Sequence, residues 1–245
     1  MNPAMALLAA GAGYLLGSIP FALVVVRLFG KGRGLDPVEL PVPGLEESLR
    51  SEAVGATAVR LQLGARYGCL TSLLDMAKAA AVTLVFKLCA PDAPYYLIAS
   101  GTAVVGHIWP VFHRFRGGRG QSPIIGSLFV VDWPTPLIVY PLAQLLGLAT
   151  RSRAFLGRFA PMLLAGGWLY VRFRDPALVA YAVGLFLVRI LAMRREIRQY
   201  ASFRRAGNLR SLSDEIALLR FGTAPSRLVE WVQQHFAGFR KHREP

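Results

Sequence analysis

The sequence predicts an all-α, polytopic membrane protein of about seven transmembrane helices, with its amino end outside and its carboxyl end in the cytoplasm. Three observations carry that expectation. The 245 residues are 54% hydrophobic and only 17% charged, with a mean hydropathy of +0.42, too apolar for an ordinary soluble domain. The apolar residues fall in runs separated by short basic segments. The basic residues concentrate on one of the two sides that those runs define. A net charge of +14 and a pI near 10.7 suggest nucleic acid in a soluble chain, but here the charge lies between apolar runs and marks topology instead.

In chain order, Ala4 to Val26 is an apolar run of 23 residues, about 34 Å as a helix and enough to span a hydrocarbon core. Arg27 and Lys31 follow it and no basic region precedes it, so it reads as a retained first helix rather than a signal peptide. Gly17-Ser18-Ile19-Pro20 inside the run predicts a proline kink. From Arg27 to Tyr67 the chain is polar. Pro37, Pro41 and Pro43 argue against regular structure in its first half, and Leu45 to Leu63 is expected to form a short helix or re-entrant segment.

Gly68 to Ala90 and Tyr95 to Val111 are the second and third spans. Pro123 to Val131 and Leu137 to Ala149 are short apolar runs around Asp132-Trp-Pro-Thr-Pro136, expected as two short helices with a tight outer turn. Phe159 to Val171 and Ala177 to Met193 complete the set, with a third basic loop over Thr150 to Arg158. Cys69 and Cys89 on one helix stand roughly 30 Å apart, beyond disulfide reach, and no metal or cofactor framework is expected.

Lysines and arginines test this topology. The inward segments, beginning at Arg27, His113, Thr150 and Arg194, hold six, three, three and eleven; the outward segments hold only Lys87, Arg172 and Arg174. The carboxyl-terminal part reads as a second unit: residues 1–206 form the membrane bundle and 207–245 a basic cytoplasmic tail. In the tail, Ser211 and Asp214 suggest a capping box, and Ser226 to Lys241 suits an amphipathic helix lying on anionic lipid.

Three polar constellations stand out. Gly106 to Gly120, GHIWPVFHRFRGGRG, gathers Arg114, Arg116 and Arg119 around Gly117-Gly118 at the end of an apolar helix, a setting for a phosphate-bearing ligand. Ser51 to Arg60 sets hydroxyl residues beside Gly55, with Arg60 as counter-charge. Its backbone N–H groups suit an anion, although the same segment also reads as a solvated loop. Asp75 and Lys78, one turn apart in an apolar helix, are expected to pair with each other or to face a polar cavity.

Read together, these motifs resemble a known family. Gly17-Ser18-Ile19-Pro20, the Gly55-Ala56-Thr57 triplet with Ser51 and Arg60, Asp75 with Lys78, and Gly106-His107-x-x-Pro110-x-Phe112-x-x-Phe115-Arg116-Gly117-Gly118-x-Gly120 follow the order and approximate spacing of the PlsY-type membrane glycerol-3-phosphate acyltransferases. The resemblance spans roughly residues 10 to 200. It implies a seven-helix bundle with active-site loops on the cytoplasmic face of the cell membrane, transferring a fatty acyl group from acyl phosphate to the 1-hydroxyl of glycerol 3-phosphate to give lysophosphatidate. The partners it implies are those two substrates and membrane lipid, with no nucleic acid. It also implies no protein general base, the hydroxyl proton passing to a substrate phosphate.

Carried onto matching positions, the resemblance makes Arg60, Arg119 and Lys78 the catalytic cations. Ser51, Gly55, Thr57, Asp75, His107, Arg116, Gly117 and Gly118 become the substrate-binding residues. Several positions depart from the pattern. Ala53 and Ala58 stand where the family has Asn, Glu52 and Ala79 where it has Gly, and Arg119 where it has Lys. Arg151 to Arg158 replaces a serine-rich segment, and Met193 and Glu196 replace a His and an Asn. The alternative expectation is therefore a non-catalytic homologue that binds a lipid or phosphorylated ligand at the membrane.

Overall fold

The structure, a computed structural model, describes residues 1–32, 34–41, 48–149 and 153–205. The expected tail helix, the capping box at Ser211 and the second unit beyond residue 206 lie outside the described residues.

The first apolar run folds as two helices. α1 (Pro3–Gly17) starts where Asn2 accepts the Ala4 N–H at 2.9 Å and Pro3 occupies the first turn. The expected kink is a full break: Pro20 lacks an N–H and restricts Ile19, so the helix stops at Ser18 and resumes as α2 (Phe21–Phe29). Together they make an apolar stretch of 27 residues.

The polar loop differs from expectation. β1 (Val38–Pro41) and β2 (Ser48–Ser51) pair antiparallel, with Val38 opposite Ser51, so the proline-rich half does form regular structure. Pro41 is tolerated because it closes an edge strand. The helix expected from Leu45 shrinks to α3 (Ala56–Leu63), starting at Gly55 and ending at Gly64, whose φ of 101° turns the chain into the next helix.

α4 (Ala65–Cys89) carries both cysteines, each free and exposed. Its 25 residues are long and apolar enough to cross a membrane. Thr71, Asp75, Lys78, Val82 and Phe86 form its buried face at helical spacing. α5 (Tyr95–Ile108), a 3-10 turn at Val111–His113, α6 (Gln121–Val131), α7 (Pro134–Ala149), α8 (Arg153–Phe173), α9 (Pro176–Ala192) and α10 (Arg194–Arg205) follow. The third basic loop is shorter than expected, because helix already begins at Arg153.

α1 packs on α5 through small residues. A Cβ on Gly17 would stand 2.2 Å from the Ala103 carbonyl, and one on Gly106 2.2 Å from the Tyr14 carbonyl, so neither position admits a side chain. Close backbone approach of this kind replaces the hydrophobic drive that lipid removes. The main core joins Val104 and Ile108 of α5, Ile124 and Leu128 of α6, Met162 and Leu169 of α8 and Leu185 of α9. Leu7, Leu73, Leu88 and Leu187 are among many large apolar side chains on the outside, as a bilayer-facing surface requires.

α5 and α6 are only about 21 Å and about 17 Å long, short of a hydrocarbon core of about 30 Å. The loop joining them, residues 109–120, therefore starts within the thickness of the bundle. Irregular backbone at that depth is tolerated where protein covers it. At the opposite end the turn between α6 and α7 is closed by Asp132.

Candidate active site

Three side chains of α4 and α5 meet first. Lys78 Nζ lies 2.8 Å from Asp75 Oδ1, the i,i+3 pair expected from spacing, and His107 Nδ1 lies 3.3 Å from the same oxygen. All three are buried. Lys78 also donates to the Ile19 carbonyl at 2.6 Å and sits 5.6 Å from the centre of the Phe21 ring. The break in the first span thus has a chemical use: unwinding at Ser18–Pro20 presents a carbonyl that an intact helix would have used internally.

The Gly117-Gly118 pair lies against His107 of this cluster, in a segment turned at Arg114, Phe115 and Gly120. Arg114 and Phe115, with φ of 50° and 59°, take left-handed backbone that non-glycine residues adopt at a cost. Contacts on both sides hold the bend. Phe115 N–H donates to Pro110 at 2.9 Å, Gly118 N–H to the His107 carbonyl at 3.1 Å, and Val54 N–H to the Gly117 carbonyl at 2.9 Å. A Cβ on Gly117 would stand 2.1 Å from the His107 carbonyl, and one on Gly118 2.1 Å from its Nε2, so the imidazole lies directly on glycine backbone.

Beside this loop, Arg119 reaches back to the end of β2. Its Nη2 donates to the Ser51 hydroxyl at 2.6 Å and its Nε to Glu196 Oε1 at 3.2 Å. Ser51 in turn donates to the same carboxylate oxygen at 3.3 Å and accepts the Ala53 N–H at 3.3 Å. Arg189, buried in α9, donates to the Arg119 carbonyl at 3.1 Å and fixes the backbone below the guanidinium.

A narrow cleft, with room for about one water molecule, opens beside the Asp75–His107 contact, and Arg119 and Ser51 lie outside its lining. It is lined by Gly17, Ile19, Val54, Asp75, His107 and Gly117, with further apolar residues. Motifs from the first span, the first loop, α4 and the 106–120 segment thus share one opening. A buried carboxylate–lysine–histidine cluster, closely approaching glycine backbone and a neighbouring guanidinium can hold an anion and orient a hydroxyl beside it.

The expected site residues divide accordingly. Asp75, Lys78 and His107 come together, as do Ser51 with Arg119, and Gly55 stands 3.7 Å from the Gly118 Cα, measured from an ideal Cβ. Lys78 is held by Asp75 and Ile19 and does not line the cleft. The Gly118 N–H, expected as a donor to an anion, is taken up by His107. Arg60 and Thr57 are half-buried on α3 and make no side-chain hydrogen bond or ion pair among the described residues, and Arg116 is exposed. Sequence reading missed the Ile19 carbonyl and Arg189. A charge within the apolar α9 was the available signal for Arg189.

Fold and cleft together define a helical integral membrane protein whose loops gather arginine, serine and glycine backbone at one end, the equipment of a phosphate-handling enzyme. A family model described as glycerol-3-phosphate acyltransferase matches residues 7–202, and the chain belongs to that family. It is 34% identical to a glycerol-3-phosphate acyltransferase of Cereibacter sphaeroides over 198 residues, covering 80% of this chain and 83% of that one. It is 32% identical to a glycerol-3-phosphate acyltransferase of Methylococcus capsulatus over 184 residues, covering 75% and 85%. Crystal structures of PlsY, an integral membrane glycerol 3-phosphate acyltransferase, match over 81% of this chain and 93% of theirs. The glycerol 3-phosphate form gives a TM-score of 0.66 at 27% identity, and the lysophosphatidic acid form 0.65 at 26%.

Proposed function

We propose that this protein transfers a fatty acyl group from acyl phosphate to the 1-hydroxyl of glycerol 3-phosphate, giving lysophosphatidate for phospholipid synthesis. In the transfer the acyl carbon–oxygen bond to phosphate breaks and an ester bond to the glycerol oxygen forms. The hydroxyl proton leaves with the departing phosphate, so inorganic phosphate carries it away and no cofactor enters the balance. The protein's part is positional. Arg119 and Ser51 hold phosphate, Arg60 and Thr57 add charge and a hydroxyl from α3, Arg116 adds charge at the rim, and the Asp75–Lys78–His107 cluster with Gly55, Gly117 and Gly118 shapes the floor.

The observation that carries this reading is the shared cleft, where four separated sequence motifs converge beside an arginine–serine pair. The apolar runs support seven spans, and the asymmetry of lysine and arginine between loops supports an amino end outside and site loops on the cytoplasmic face. Substrates named in the family and in the PlsY forms support the acceptor.

One observation favours a second reading, a member that binds a phosphorylated ligand without turning it over: Glu196 already stands on Arg119. Complementation separates the two. Expression in a strain deprived of its own acyl-phosphate-dependent acyltransferase is expected to restore growth and lysophosphatidate formation; folded, membrane-inserted protein that restores neither sinks the acyltransferase reading.

A further inference from the structure

Two of the departures from the family pattern, Glu52 and Glu196, each form an ion pair where α10 meets the end of β2. The first turn of α10 lies against the end of β2. There Glu196 Oε1 receives Arg119 Nε at 3.2 Å and the Ser51 hydroxyl at 3.3 Å, and Arg195 pairs with Glu52 at 3.1 Å. The two ion pairs differ in setting. Arg119 and Glu196 are 17% and 12% exposed, so solvent screens them weakly, whereas Arg195 and Glu52 are 77% and 56% exposed and contribute little.

An oxygen anion that accepts from a guanidinium N–H and a serine hydroxyl together has the environment of a phosphate oxygen. We infer that Glu196 is a specificity-determining residue whose carboxylate occupies the Arg119–Ser51 anion position, so that a phosphate monoester binds there only by displacing it. This inference rests on the acyltransferase reading for the identity of the monoester, but not for the competition itself. A phosphate brought to Arg119 while Glu196 remains meets like charge at hydrogen-bond range, which opposes binding in a weakly screened site. Arg189 holds the Arg119 backbone carbonyl at 3.1 Å and Ser51 accepts from the guanidinium at 2.6 Å, so Arg119 keeps two anchors when the carboxylate leaves. The carboxylate is therefore the part that yields, and the exposed Arg195–Glu52 pair is too weak to hold α10 against it. Affinity for phosphate is set by the difference between two anions for one arginine–serine pair.

The test titrates purified wild type and E196Q in detergent with inorganic phosphate and with glycerol 3-phosphate by calorimetry, and measures kcat and KM for acyl transfer. Glutamine keeps the shape and one acceptor oxygen but removes the charge. Both ligands are expected to bind E196Q about tenfold more tightly, the scale of one hydrogen bond to a charged group. KM for glycerol 3-phosphate is expected to fall by a similar factor, with kcat changed by less than about twofold, since the substitution removes a competitor present before chemistry. Glu196→Asn, measured alongside, is expected to move the same way and covers any folding defect of E196Q.

Equal or weaker phosphate binding in both variants overturns the inference. If wild type transfers acyl groups while neither variant changes affinity or KM, the inference falls and the acyltransferase reading stands. If the variants bind phosphate more tightly but no form turns over, the inference stands and the acyltransferase reading falls.

Discussion

Each end of the bundle buries a carboxylate against a cation, and the two are built differently. At the end holding the turn between α6 and α7, Asp132 accepts from Thr135 at 2.7 Å and Trp168 Nε1 at 3.2 Å, and pairs with Arg172 Nε at 2.9 Å. Nearby, Lys87 Nζ closes on the carbonyls of Val130 and Val131, at 2.5 and 3.1 Å. Those groups satisfy one another and tie α4, α6, α7 and α8 together. At the other end Asp75 shares one oxygen between Lys78 and His107, lines a cleft, and is joined through His107 to glycine backbone in a segment strained at Arg114 and Phe115. The lesson is that a buried ion pair alone does not mark a site. An adjoining opening and backbone held in costly conformations do.

Four substitutions sharpen or break that contrast. The largest effect is expected from Lys78→Met, which leaves Asp75 buried beside His107 alone: about 3–5 kcal/mol of stability lost, read by thermal unfolding in detergent, together with loss of acyl transfer. Asp132→Ala is expected to cost about 2–3 kcal/mol by orphaning Thr135 and the Trp168 N–H. It should leave KM and phosphate affinity of the remaining folded protein unchanged; a specific loss of binding there erases the distinction between the ends. Gly118→Ala drives a methyl into the His107 ring, at about 1–3 kcal/mol, and is expected to reduce kcat/KM more than stability predicts because the imidazole must leave Asp75. Arg116→Ala is expected to change stability by less than about 0.5 kcal/mol, with only a small, salt-sensitive rise in KM. A large effect moves this exposed arginine from the rim into the anion position.

The long-range arrangement was legible in the sequence to the extent that local patterns encode it. Apolar runs gave the helices, Asp75 and Lys78 gave their pair through i,i+3 spacing, and Pro20 gave the interruption of the first apolar run. Local pattern stops where a partner is distant. Arg119 and Glu196 are 77 residues apart, and Arg189 reaches a carbonyl 70 residues away, contacts that no periodicity announces. The β1–β2 hairpin was hidden for a different reason: its prolines read as breakers, yet Pro41 lies at the end of a two-stranded edge where a missing N–H is harmless. Of the candidate site, the glycine pair of the 106–120 segment was readable, but its reason was not: the chain turns at Arg114, Phe115 and Gly120, and Gly117-Gly118 make room for the imidazole lying on them.

The central claim, that the arginine–serine end of the bundle handles phosphate for acyl transfer, is tested most directly by one assay. Purified wild type and Arg119→Ala are given acyl phosphate and radiolabelled glycerol 3-phosphate, and labelled lysophosphatidate is counted. Wild type is expected to form product at a rate about 10²–10³ above the variant, the scale of removing a preorganised charge from a reacting centre. Wild-type turnover no faster than Arg119→Ala contradicts the claim.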